Sequence, residues 1–143
     1  MSSEFKLLLR ERKLLRAHVA RDMIVKEIKA AETDLRDAED SLDRREFKWA
    51  TIQAYYSMFH SVRALLYRRG YREKSHYAML VALRELFAHK LGRGMIGRFE
   101  QGMDLRQEAD YGLKFSETGA VETIDGAQAF LAKAKELLKI KSS

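Results

Sequence analysis

Five side chains in this sequence, Gln53, Tyr56, His60, Arg63 and Tyr67, recur at steps of three, four, three and four residues. On an α-helix that spacing lines them up along one side. Tyrosine and histidine rings can stack on a base, and a guanidinium can hold a phosphate through paired hydrogen bonds. The same residue types also suit the border between a core face and solvent, where they bury their stems and keep their tips wet. The spacing alone leaves both readings open.

A second constellation follows directly: Arg69, Gly70, Tyr71, Arg72, Glu73, Lys74, Ser75 and His76. Arg69 falls at the predicted end of one helix and His76 in the first turn of the next, so a helix–turn–helix hairpin would bring them together. An imidazole titrates near neutrality and can move protons, and a guanidinium can brace a phosphate. That pairing suits cleavage of a phosphodiester without a metal, with His76 transferring protons and Arg69 holding the scissile phosphate. Arg72 and Lys74 between them, with Tyr56, His60 and Arg63, are the candidate contacts to nucleic acid or nucleotide. The bland alternative is a surface turn in which Ser75 and His76 only cap a helix. A third pair, Arg106 and Asp110, has ion-pair spacing and is expected to tie the bundle, for a few tenths of a kcal/mol if exposed.

Several chemistries are set aside. The chain has no Cys, which excludes disulfides, thiolate metal sites and a cysteine nucleophile. The histidines His18, His60, His76 and His89 form no His-x-x-x-His or Glu-x-x-His pattern, so a di-iron bundle site has no support. No strand is expected, and no glycine-rich phosphate loop follows one. No metal or cofactor is predicted.

These residues need helices to position them, and the composition supplies helices. The 143 residues contain no Pro and only eight Gly, four of them between Gly92 and Gly102. Hydrophobic residues make up 46% and charged residues 34%, which suits one domain with a real core. From Asp22, the residues Val25, Ile28, Ala31, Leu35, Ala38 and Leu42 form an apolar stripe. Glu46 to Arg69 carries Trp49, Ile52, Tyr55, Phe59, Val62 and Leu66 on one face, with Ala50, Ala54, Met58 and Leu65 widening it. That helix should be the central one. Gly70 is expected to end it in a left-handed conformation. Ser75 is expected to cap the next helix, running through Tyr77, Leu80, Val81, Leu83, Leu86 and Phe87. Gly92 to Gly97 reads as a mobile connection, Phe99 to Gly112 as a shorter helix, Val121 to Ile140 as the last helix, and Lys141 to Ser143 as a frayed tail. Phe5 to Ala20 reads as a terminal helix docked on the core; the competing reading is a membrane-surface helix. The result is an all-α, up-and-down antiparallel bundle of four main helices plus an N-terminal one.

Net charge is +6, which permits a polyanionic partner. The charge is unevenly placed. Asp22 to Glu46 holds nine acids and five bases, and His60 to His76 five bases and one acid. The first residues contain no apolar run long enough for a signal peptide or membrane span, so a cytoplasmic protein is expected.

Three blocks, Ala54 to Leu66, Lys74-Ser75-His76, and Arg106 to Tyr111, resemble a family of small prokaryotic HEPN-domain proteins, over about residues 22 to 140. The resemblance implies a helical bundle that usually dimerises and is often encoded beside a minimal nucleotidyltransferase. Some members are ribonuclease toxins that this partner neutralises. Their nucleases carry an Arg, four to six residues, then His, which Arg69 and His76 resemble. A polar residue usually follows that Arg, whereas here it is Gly70.

Taken together, the sequence predicts a HEPN-type module that binds RNA or nucleotide, or a minimal nucleotidyltransferase partner, within a toxin–antitoxin-like system. Two alternatives stand beside it: a metal-independent endoribonuclease toxin using Arg69 and His76, and a structural homodimer without nucleic-acid activity.

Overall fold

The computed structural model describes residues 1–141, so the expected fraying of Ser142 and Ser143 lies outside the described residues. In chain order the elements are α1 (Ser3–Arg10), β1 (Leu14–Arg16), α2 (Arg21–Asp43), α3 (Phe47–Arg68), β2 (Tyr71–Glu73), α4 (His76–Asp110) and α5 (Glu117–Leu138). The fold is the expected all-α bundle with a small β-ribbon at one side. Among the described residues no helix is long and apolar enough to cross a membrane.

Helix α3 is the axis of the bundle and packs against α2, α4 and α5. Its apolar residues occupy more than one face, so Ala50, Ala54, Tyr55, Met58, Val62, Leu65 and Leu66 are all buried. Small residues at Ala31 and Ala38 of α2 let the two helices approach closely. The Ser57 hydroxyl, fully buried in that contact, donates to the Ala31 carbonyl at 2.7 Å, so the close approach leaves no orphan there. On the other side Met58 fills the space beside Gly102 of α4 and Gly126 of α5; a Cβ at Gly102 would meet the Met58 methyl at 2.5 Å. Two positions expected on the core faces do not reach it. Trp49 is 50% exposed and Tyr77 is 49% exposed, because each lies in the first turn of its helix, beyond the packed layer.

Gly70 closes α3 as expected, at φ +85°. Ser75 caps α4, its hydroxyl accepting from the Ala78 N–H at 3.0 Å. Ser116 caps α5 from Gly119, which starts that helix four residues earlier than expected.

Three expectations are corrected, the first being the absence of strands, since β1 and β2 pair as a ribbon. Gly92 to Gly97 is not a loop: two helical segments meet at a kink in α4 where only Gly92 leaves helical geometry, at φ 82° and ψ 161°. One glycine absorbs the bend, and Gly94 and Gly97 stay helical. The N-terminal helix stops at Arg10 instead of reaching Ala20. Arg12 takes a left-handed φ of 58°, and the chain then extends as β1. Leu14 pairs with Glu73, Leu15 with Arg72 and Arg16 with Tyr71 in an antiparallel ladder. Backbone bonds from Lys74 to the Lys13 carbonyl and from Ala17 to the Gly70 carbonyl lengthen it at both ends. The ladder gives the extended chain hydrogen bonds that a helix would otherwise supply, and it seals Leu14 at 0% exposure.

Candidate functional site

The ribbon decides where the chemistry assembles. Residues 71–73 are extended as β2, about 10 Å at about 3.3 Å each, and Ser75 is extended again before α4. That stretch carries the chain from the end of α3 back along its side to the level of Phe59 and Tyr55. There His76 begins α4, with its ring centroid 4.8 Å from Phe59 and 5.7 Å from Tyr55, stacked on the latter. The Tyr55 hydroxyl lies 2.5 Å from His76 Nδ1. Tyr56 meets the same imidazole edge-on at 6.3 Å.

The third sequence block arrives from the far end of α4. The Arg106 guanidinium lies over the rings of Tyr55, Tyr56 and Tyr111, at 5.4, 5.9 and 5.8 Å. Arg106 is 8% exposed, and its Nε has no hydrogen-bond partner among the described residues. Asp110, the expected partner, is 3.8 Å away and 40% exposed, a loose pairing. The aromatic rings therefore do most to hold this cation. Burial lowers the His76 pKa below its ordinary 6.5, and the positive charge of Arg106 pushes the same way. Burial also raises the Tyr55 pKa, so this hydroxyl stays protonated beside the imidazole.

His76 forms one wall of a cleft of about 350 Å³ whose other walls include Phe59, Arg63, Tyr67, Arg72 and Lys74. The alternation of β2 explains this arrangement. Tyr71 and Glu73 turn inward and are buried, so Arg72 and Lys74 fall on the opposite, exposed face. Glu73 is the one acid of the cleft. It receives two hydrogen bonds from Arg63, 2.7 Å from Nη2 and 3.3 Å from Nε, and Arg63 also lies 3.6 Å from Glu27. Burial works against the Arg63 charge, but the bond and charge of Glu73 outweigh it and raise the Arg63 pKa. Arg72 and Lys74 have no carboxylate partner among the described residues.

The predicted residues therefore separate. Arg63, Arg72, Lys74 and His76 share the cleft, with Tyr56 behind the imidazole. His60 does not join them: it is fixed between helices, its Nδ1 2.6 Å from Glu27 and its Nε2 3.5 Å from Asp34. Arg69 is placed elsewhere too. Its Nη1 donates to the Leu86 carbonyl at 3.1 Å, and its guanidinium lies over Phe87. Leu86 is ten residues along α4 from His76, about 15 Å at 1.5 Å per residue. The expected hairpin is replaced by an extended segment, and that segment separates the pair. Reading by periodicity also assigned Tyr55 to the core alone and Arg106 to a tie with Asp110, while Tyr55 bonds His76 and Arg106 lies over Tyr55 with its charge bearing on the imidazole. The order of the three blocks was the available signal.

The chain matches a family model described as "HEPN domain" across residues 25–143. The chain belongs to the HEPN family. Two relatives resemble this HEPN chain along most of their length. A "UPF0332 protein" of Archaeoglobus fulgidus is 30% identical over 112 residues, 76% of this chain and 89% of that one. A Methanocaldococcus jannaschii protein bearing the name "Putative toxin MJ0605" is 30% identical over 115 residues, 78% of this chain and 86% of that one. In structure, the HEPN chain resembles TT1696 from Thermus thermophilus, with a TM-score of 0.67 at 19% identity, covering 79% of this chain and 96% of the other. That likeness bears on the fold alone.

Proposed function

We propose that this HEPN protein is an RNA-binding module whose cleft between α3, β2 and α4 receives a phosphate at Arg72 and Lys74 and a base against the adjoining rings. One observation carries the reading: two exposed cations without carboxylate partners lie in one cleft with Phe59, Tyr67 and the imidazole of His76. Partnered lysines and arginines cost anion binding its attraction, whereas these are available. Arg63 contributes less, because Glu73 already occupies its fork. The test is binding of a labelled single-stranded RNA to wild type, Arg72→Ser and Lys74→Ser. Each variant should bind several-fold more weakly and lose part of the salt dependence; unchanged affinity in both sinks the reading.

A second reading, metal-independent cleavage, rests on His76. Its Nδ1 is engaged by Tyr55, and its Nε2 has no partner among the described residues. When Nδ1 carries the ring proton and donates it to the Tyr55 oxygen, Nε2 of the neutral imidazole has its lone pair free to accept the proton of a ribose 2′-hydroxyl. The 2′-oxygen then attacks the adjacent phosphorus, a 2′,3′-cyclic phosphate forms, and the 5′-oxygen leaves and takes up a proton. In this version Arg72 and Lys74 hold the phosphate in the place first assigned to Arg69; the likeness to the protein named "Putative toxin MJ0605" supports a toxin-related module. RNA cleaved by wild type and left intact by His76→Ala supports it; identical RNA recovery from both rules it out.

A further inference from the structure

Two further clefts adjoin this one in turn. Tyr67 lines both the His76 cleft and a second one beside Ala17, His18 and Arg21. That second cleft shares Ala17, His18 and Gly70 with a third, which lies over the ribbon next to Arg16 and Arg69. Along all three the charge has one sign. The walls hold Arg16, Arg21, Arg63, Arg68, Arg69, Arg72 and Lys74, and Glu73 is the sole acid among them. Glu73 is spent on Arg63. Of the remaining six cations none has a carboxylate within 4 Å among the described residues, although Arg84, Lys135 and Arg44 elsewhere do.

Three of these six have side-chain hydrogen bonds among the described residues, and all of them run to uncharged groups. Arg21 donates to the Leu138 and Lys139 carbonyls, Arg69 to the Leu86 carbonyl and Arg16 to the Tyr71 hydroxyl. All these acceptors are neutral, so the groups are oriented and their charges are left uncompensated. Arg68 has neither ion pair nor hydrogen bond among the described residues and is exposed. A single phosphate needs two or three such groups; a row of six suits a chain of phosphates.

Resting on the reading of the His76 cleft given above, we infer that its ligand is a single-stranded RNA segment of several nucleotides. Its backbone runs from Arg72 and Lys74 past Tyr67 and across the β1–β2 ribbon to Arg16 and Arg68. A mononucleotide fills only the first of these stations. Single-stranded rather than duplex RNA fits because the track begins at the half-buried imidazole of His76, beside which an unpaired base can lie. An anionic lipid surface would meet the same charges but gives the His76 ring no stacking partner.

The test compares 5′-labelled uridine oligomers of two and twelve nucleotides, followed by anisotropy over a range of salt with the full chain. The slope of log affinity against log salt is the decisive readout, because longer oligomers also gain affinity from their extra binding registers. Each additional phosphate engaged should steepen it by about 0.7. The twelve-mer should therefore show a slope steeper by about 1.4 or more, and Arg68→Ser should flatten it by about 0.7 while leaving dinucleotide binding as in wild type. Equal slopes for the two lengths overturn the track while the cleft reading stands. Failure of both oligomers to bind overturns the cleft reading, and the track with it. Displacement of the twelve-mer by phosphatidylserine vesicles at lower charge concentration than by unlabelled twelve-mer assigns the face to lipid and also overturns the inference.

Discussion

The hydroxyl of Tyr55 stands 2.5 Å from Nδ1 of His76, joining the middle of α3 to the first residue of α4. Tyr55 is fully buried, so this bond sets the two ring nitrogens apart: Nδ1 is engaged inside the bundle and Nε2 has no partner among the described residues. Tyr55→Phe keeps the ring stack and removes only the bond. It should cost about 1 kcal/mol of stability and let the imidazole rotate. Nitrogen-detected NMR of His76 should show altered tautomer populations, and an unchanged spectrum would mean the bond does not set the tautomer.

Acid should destabilise the fold through His76. In the unfolded chain this group takes up a proton near 6.5, whereas burial and Arg106 lower its pKa in the fold. The unfolded state therefore binds more protons as pH falls below 6.5. Stability is present in full above that value and is lost as pH drops toward the folded pKa. Melting temperatures at about pH 7.5 and about pH 5.5, on either side of the unfolded value, should differ more for wild type than for His76→Gln. Equal drops in the two proteins would exclude His76 as the source.

Glu73 should have opposite effects on stability and binding. Glu73→Gln weakens a charged pair that is buried on its own side, at a cost of about 2 kcal/mol. It also frees the Arg63 guanidinium and removes the one acid of the cleft. RNA affinity should rise several-fold while the denaturation midpoint falls. A variant that loses both would show that Glu73 positions the cleft rather than restraining its charge.

His60 provides the contrasting case. It bridges Glu27 and Asp34 of α2 from α3, away from the cleft. His60→Gln should lower the melting temperature and leave RNA binding and its salt slope unchanged. Arg72→Ser should do the reverse. If His60→Gln weakens binding at full folded population, the cleft extends further along α3 than its walls indicate.

Gly70 tests the ribbon itself. Its φ of +85° is costly for any residue with a Cβ, so Gly70→Ala should cost about 1 kcal/mol. The damage should fall on the ribbon, because the Gly70 carbonyl accepts from Ala17 where the ladder begins. Hydrogen exchange should quicken at Ala17 and Lys74 before it does in α3; uniform quickening would contradict a local effect.

The bundle, the central place of α3, the caps at Gly70 and Ser75, and the concentration of positive charge between Arg63 and His76 were all legible in the sequence. Each of these follows from local rules: apolar spacing over many residues, a glycine that tolerates positive φ, a hydroxyl before a helix, and the count of charges. The row Tyr56, His60, Arg63 and Tyr67 was equally visible, but its division was not. His60 faces carboxylates of α2, and Arg63 faces the inward acid of β2, which periodicity on α3 cannot report. Which arginine stands by His76 was settled by the packing in three dimensions. The three-residue strands at Leu14 and Tyr71 are too short to show a period, yet they replace the expected hairpin with an extended run. That run moves His76 about 15 Å along the bundle from Arg69 and onto Tyr55, whose ring also lies under an arginine thirty residues downstream of His76, Arg106.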